Sequence, residues 1–148
     1  MRRGRRACRV GVGVAGGKYR VAAGYEGIVS LADLLGVAVD RTGGESATAT
    51  LGVDERHLNA GGTVHGGAIA TLVDVAMGAA VFAGSDDDQR PVTIEMKLNY
   101  LEAGEPGELR AVAKVRRRGS RFTVLEAEVL QDDRVIAFAT GSFTTISR

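Results

Sequence analysis

Between Gly67 and Ala83 the chain is apolar on nearly every helical face, and Asp74 is the only charge in the run. A helix of that pattern is either enclosed by protein or set in a membrane. A membrane span needs about 20 apolar residues. This run is shorter, rich in alanine and glycine, and has no basic flank. A carboxylate at the centre of a span is also costly. The pattern therefore predicts a central helix wrapped by a sheet, and no membrane partner. It also poses a problem, because a carboxylate sunk in apolar surroundings needs a hydrogen-bonding or functional reason to be there.

The rest of the chain supplies the sheet. Val37–Arg41 and Ser46–Val53 alternate like strands about a Gly43–Gly44 turn. After the acidic loop Ser85–Arg90, Val92, Ile94, Met96 and Leu98 alternate with polar residues, as do Leu109, Ala111, Ala113 and Val115. Arg121–Leu130 and Arg134–Ile146 read as two more strands, with turns at Glu105–Pro106–Gly107, Gly119–Ser120 and Asp132–Asp133. Short turns imply antiparallel neighbours, so these four strands are expected to form a consecutive meander. Ahead of them, Tyr25–Gly36 carries Ile28, Leu31, Leu34 and Leu35 at helical spacing and ends on glycine, which predicts a short amphipathic helix. The fold class expected is α+β.

Composition bounds the function. A chain of 148 residues, 45% hydrophobic and 25% charged, is one soluble domain with a real core. A net charge of +1 exerts no general pull on nucleic acid or anionic lipid. Residues 1–9 hold five arginines and no acid, and residues 1–24 read as a flexible basic extension ahead of a domain over 25–148. No apolar stretch of a secretory signal follows those arginines. Cys8 is the single cysteine, so there is no internal disulfide and no zinc cluster. A cytoplasmic location without metal or other cofactor is the expectation.

The segment HLNAGGTVHGGAIATLVD, from His57 to Asp74, carries the candidate chemistry. Gly66 and Gly67 open the helix. The first amides of a helix lack intrahelical acceptors and sit at its positive end, and glycine admits another molecule close to the backbone. A carbonyl oxygen placed there would be polarised, and an oxyanion stabilised. The same pair also serves simply as a tight turn into a helix. Asp74 lies eight residues further on (74 − 66), about 12 Å along the axis. One substrate carbonyl cannot reach the Gly66 amide and the Asp74 carboxylate of the same chain. If both act on one substrate, the second comes from another subunit. The alternative for Asp74 is a carboxylate satisfied by a nearby hydroxyl such as Thr71. Asn59 and His65 flank the loop and either position a carbonyl or water or hold the loop itself. Thr93, on the first strand of the meander, is a candidate to hold an attacking water. Arg116, Arg117, Arg118 and Arg121 form a basic hairpin that is either a solvated turn or a phosphate clamp. It lacks the interleaved aromatics of a nucleic-acid surface.

Two stretches, HLNAGGTVHGGAIATLVDVA and PVTIEMKLNYLEAGEPGEL, resemble the hotdog-fold acyl-CoA thioesterases of the PaaI type, over roughly residues 25–146. The shared pattern is N-x-x-G-x-x-H-G-G-x-x-x-x-L-x-D. The resemblance implies a long central helix wrapped by a curved antiparallel sheet, with chains pairing edge to edge into homodimers and often into homotetramers. It implies hydrolysis of acyl-CoA to free acid and coenzyme A. In that scheme Gly66 polarises the thioester carbonyl and Asp74 of the partner chain is general base or nucleophile. Asn59 and His65 position carbonyl and water, and Thr93 assists the water. Coenzyme A phosphates would lie near Arg117, Arg118 or Arg121, with Gly67 also against the substrate. No residue of the 1–24 segment matches the pattern.

Two other functions fit a chain of this type. A hotdog hydratase or dehydratase would pair a carboxylate with a catalytic histidine, whereas His65 stands in the glycine turn rather than on the helix. A non-enzymatic acyl-CoA sensor would need a DNA-binding segment, and residues 1–24 are too short and glycine-rich for a helix-turn-helix. The acyl pocket is expected to be walled by Leu58, Met77, Val81 and the strand faces, and an aromatic content of 5% gives no aryl-stacking signature.

Overall fold

The computed structural model describes residues 29–86 and 88–147. The basic extension and the first residues of the expected N-terminal helix lie outside them. Among the described residues that helix is α1 (Leu31–Leu35), capped by Ser30 and Asp33 in a reciprocal capping box. Strands β1 (Ala38–Gly43) and β2 (Ser46–Val53) follow, then α2 (Gly66–Ala83), then β3 (Gln89–Tyr100), β4 (Gly107–Arg118), β5 (Thr123–Gln131) and β6 (Arg134–Ser147).

All six strands form one antiparallel sheet in the order β1-β2-β4-β5-β6-β3, curled around α2. This is the hotdog arrangement. The expected four-strand meander is only partly realised. β4, β5 and β6 are consecutive neighbours, but β3 pairs with β6 and β4 with β2. The reason lies in the connection after β3. Leu101 and Glu102 both donate their N–H to the Ile136 carbonyl at the start of β6 (2.9 and 3.2 Å). Glu105 then exchanges two hydrogen bonds with the Gln131 side-chain amide at the end of β5 (3.0 and 2.8 Å). The chain thus steps across the ends of β6 and β5 before it enters β4, so Glu105–Pro106–Gly107 is a turn but not a hairpin.

Alanines on the concave face let α2 lie close. Ala47, Ala113, Ala127 and Ala139 stand in register across β2, β4, β5 and β6, and all are buried. Ala49 and Ala111 form part of the next row. Facing them, α2 buries Ala68, Ala76, Gly78, Ala79 and Ala80 among larger residues. By length and apolarity α2 alone would suit a membrane, but 56% of it is buried under the sheet, which accounts for its composition. A close-packed interior of this kind leaves no room for added methylenes. Ala127→Leu is therefore expected to lower stability by about 1–3 kcal/mol in urea unfolding.

β3 departs from its sequence pattern. Simple alternation places Val92, Ile94, Met96 and Leu98 on the inner face. Instead Val92 and Ile94 are 40% and 55% exposed, while Met96 and Leu98 pack against the core. A bulge between Thr93 and Glu95 changes the phase of the strand. Pro91 and Thr93 face α2 before the bulge, and Met96, Leu98 and Tyr100 face inward after it. Among the described residues, no strand pairs with the outer edge of β3.

Candidate active site

The loop ahead of α2 is built by its own polar groups. His57 is almost fully buried. Its Nδ1 accepts from the Asp54 N–H (3.0 Å) and its Nε2 meets the Leu35 carbonyl (2.8 Å). Those partners make Nδ1 an acceptor and Nε2 a donor. The nearby Asp54 carboxylate is engaged by Arg56 at 2.8 Å, which holds its pKa below the ordinary value. Next, the Asn59 Oδ1 accepts from the Gly61 N–H (2.8 Å), and its Nδ2 donates to the Thr63 hydroxyl (2.8 Å). Asn59 thus shapes the loop and has these side-chain atoms engaged within it.

At the helix tip, His65 is the N-cap, and its Nδ1 accepts from the Gly67 N–H at 2.8 Å. Nδ1 is therefore the bare nitrogen, and the Nε2–H points elsewhere as a donor. The Gly67 amide is occupied by this cap. Among the described residues nothing accepts from the Gly66 N–H. Of the two glycine amides, Gly66 is the one left to meet a carbonyl oxygen. The Tyr100 hydroxyl closes over the same spot, donating to the Gly66 carbonyl at 2.9 Å. A β-carbon on residue 66 would stand 3.0 Å from that hydroxyl oxygen, which accounts for glycine here. Tyr100 was not among the residues singled out by sequence. Its only signal there is an aromatic at the end of a strand.

Asp74 sits two turns down α2, half-buried. Its Oδ1 accepts from the Thr93 hydroxyl at 2.7 Å. Thr71 is not its partner, since that hydroxyl donates back to the Gly67 carbonyl (2.9 Å). No cation pairs with Asp74 among the described residues. The structure thus groups Asn59, His65, Gly66 and Gly67 at one place and Asp74 with Thr93 at another. Among the described residues, no cluster of three histidine, cysteine, aspartate or glutamate side chains is placed to hold a metal ion.

A cavity of about 390 Å³ opens beside the helix tip, lined by Val64, Gly66, Ile69, Tyr100, Leu101 and the 102–104 turn. Of the expected wall, a strand face lines it through Tyr100, and Met77 and Val81 do not. Met77 and Val81 belong to the buried core, because they face the sheet on the enclosed side of α2.

The basic hairpin divides in two. Arg116 pairs with Glu126 on the neighbouring strand. A bulge between Val115 and Arg117 then turns Arg118 inward. Its Nε bonds Glu45 (2.9 Å) and its Nη2 reaches the Val81 carbonyl (3.3 Å). A β-carbon on Gly84 would meet that Nη2 at 2.6 Å. Arg118 therefore caps the negative end of α2. Arg117 and Arg121 are exposed, and no carboxylate pairs with either among the described residues. Arg118→Ala is expected to cost about 1 kcal/mol of stability. Arg117→Ala should change it by less than about 0.5 kcal/mol in the same urea titration.

Comparison with known proteins identifies the family. Residues 61–137 match the profile of the thioesterase superfamily. The 1,4-dihydroxy-2-naphthoyl-CoA hydrolase of Escherichia coli is 26% identical over 103 residues, covering 70% of this chain and 76% of that one. The conserved protein PA5202 of Pseudomonas aeruginosa superposes with a TM-score of 0.77 at 38% identity, over 80% of this chain and 95% of that one. The PaaI protein from the E. coli phenylacetic acid degradation operon superposes with a TM-score of 0.72 at 26% identity, over 78% and 83% of the two chains. An amide-tipped helix held in a curled sheet, with a lone carboxylate two turns along it, is thus found in a chain that belongs to the hotdog-fold thioesterase superfamily, whose chemistry is the hydrolysis of thioesters.

Proposed function

We propose that the chain hydrolyses acyl-CoA thioesters as a homodimer, with each site shared between two subunits. One observation carries this reading. The unengaged Gly66 N–H and the Asp74–Thr93 pair lie about 12 Å apart along α2, and the unpaired edge of β3 runs beside both. A long apolar edge strand invites pairing with another chain, and Val92 and Ile94 are exposed on it. Tyr100 marks the amide end of β3 and Thr93 the carboxylate end. Antiparallel pairing with Thr93 across from the partner subunit's Tyr100 would bring each half-site against the other.

In that arrangement the thioester carbonyl accepts from the Gly66 N–H, supported by the Nε2–H of His65. The partner subunit's Asp74, with one carboxylate oxygen held by Thr93, takes a proton from water. The resulting hydroxide adds to the carbonyl carbon, and the oxyanion forms against the helix tip. Collapse breaks the C–S bond, and the departing thiolate takes up the proton to leave as coenzyme A. An activated acyl group needs no more than an aimed dipole and a positioned base. The relative that is named as a naphthoyl-CoA hydrolase supports coenzyme A as the thiol. A coenzyme A so placed would extend toward the hairpin of the subunit that supplies Asp74, where Arg117 and Arg121 are exposed.

The test is thiol release from phenylacetyl-, 4-hydroxybenzoyl- and hexanoyl-CoA, with the size of the active species read by light scattering. Turnover by a dimer or tetramer is expected. A fully active monomer would defeat the shared site. Hydration of an enoyl-CoA without thiol release would favour a hydratase, and saturable binding without turnover would favour a sensor.

A further inference from the structure

We infer that Tyr100 is a positioning residue for the helix-tip amides. As far as rate is concerned, the inference rests on the thioesterase reading above. The Gly66–Gly67 peptide lies between the two most permissive backbone joints of the site. It is held at both ends. Its N–H donates to His65 Nδ1 at 2.8 Å, and its carbonyl accepts from the Tyr100 hydroxyl at 2.9 Å. The following carbonyl, that of Gly67, is held in turn by the Thr71 hydroxyl. With that peptide plane fixed, rotation about the Gly66 backbone is restrained, and the Gly66 N–H keeps one direction.

The hydroxyl also acts through the peptide's own electrons. A donor on the carbonyl polarises the amide and strengthens its N–H as a donor. The bond to His65 therefore tightens, and the histidine is held in the tautomer that leaves Nε2–H to donate. Tyr100 lines the 390 Å³ cavity but turns its hydroxyl onto backbone rather than into the open space. Its position on the inner face depends on the bulge between Thr93 and Glu95. That bulge therefore sets both halves of the site, facing Thr93 to Asp74 and, seven residues later (100 − 93), Tyr100 to Gly66.

Tyr100→Phe tests this, since it keeps the ring and removes one oxygen. Three readouts are needed: kcat and KM for hexanoyl-CoA, thermal unfolding, and the amide spectrum of ¹⁵N-labelled protein. The expected result is a kcat lowered about five- to tenfold with KM and Tm unchanged. The Gly67 amide proton should move upfield and exchange faster, since phenylalanine preserves the ring-current contribution. An unchanged kcat overturns the inference, as does a rise in KM alone or a fall in Tm without a kcat effect. A Gly67 amide that does not move overturns it whether or not the protein turns over. If the wild type releases no thiol but Gly67 moves, the clamp stands and the thioesterase reading falls.

Discussion

Asp74→Asn is expected to lower kcat for thiol release by about 10²- to 10⁴-fold while leaving the fold intact. The substitution is nearly isosteric. The Thr93 hydroxyl that now donates to Asp74 Oδ1 at 2.7 Å can donate as well to an amide oxygen. What is lost is the basic oxygen beside it. Stability is not expected to fall. The amide keeps the Thr93 hydrogen bond, and among the described residues no cation is left without its partner. Loss of function at unchanged or raised Tm is the signature of a group retained for chemistry. Turnover equal to wild type would remove Asp74 from the reaction.

The second large effect is restoration of activity by mixing two inactive proteins. Gly66→Val places a branched side chain where even a β-carbon would stand 3.0 Å from the Tyr100 hydroxyl. It should displace the tip amide and lower kcat by about 10²-fold or more. In a heterodimer of Asp74→Asn with Gly66→Val, one site carries both changes and the other carries neither. Random association makes half the dimers mixed, so about a quarter of wild-type activity is expected from the coexpressed pair. Heterodimers isolated with two affinity tags should show one intact site each. Isolated heterodimers without activity would place both groups of each site in one chain.

Much of this architecture was legible before any coordinates. The all-apolar run with one carboxylate forced a central helix, and α2 begins within one residue of the expected start. Alternation in Leu109–Val115 gave the inner face of β4 because that stretch lies before its bulge. The same rule misplaced Val92 and Ile94, because an inserted residue leaves the sequence alternating while the backbone changes phase. Arg117 and Arg118 look equivalent in the sequence for the same reason, yet one is a surface cation and the other a helix cap. Strand order was hidden because turn residues report that a chain reverses, not which strand it then meets. The helix-tip glycines and Asp74 stood out because each is awkward for folding alone. Tyr100 is an ordinary residue whose part is assigned only by a tertiary contact, whereas Asn59 makes its bonds within its own loop.

The position of β3 beside β6 also bears on how the molecule comes to be made. Among the described residues, its one hydrogen-bonding neighbour within the sheet is β6, which follows it by three strands in the chain. During translation β3 leaves the ribosome ahead of β4, β5 and β6 and must wait, unzipped, until Arg134 and the residues beyond it follow. Pairings so distant along the chain close slowly. Until then the nascent protein carries an unzipped ribbon with Val92 and Ile94 exposed, and the half of the site anchored by Thr93 matures only when β6 arrives.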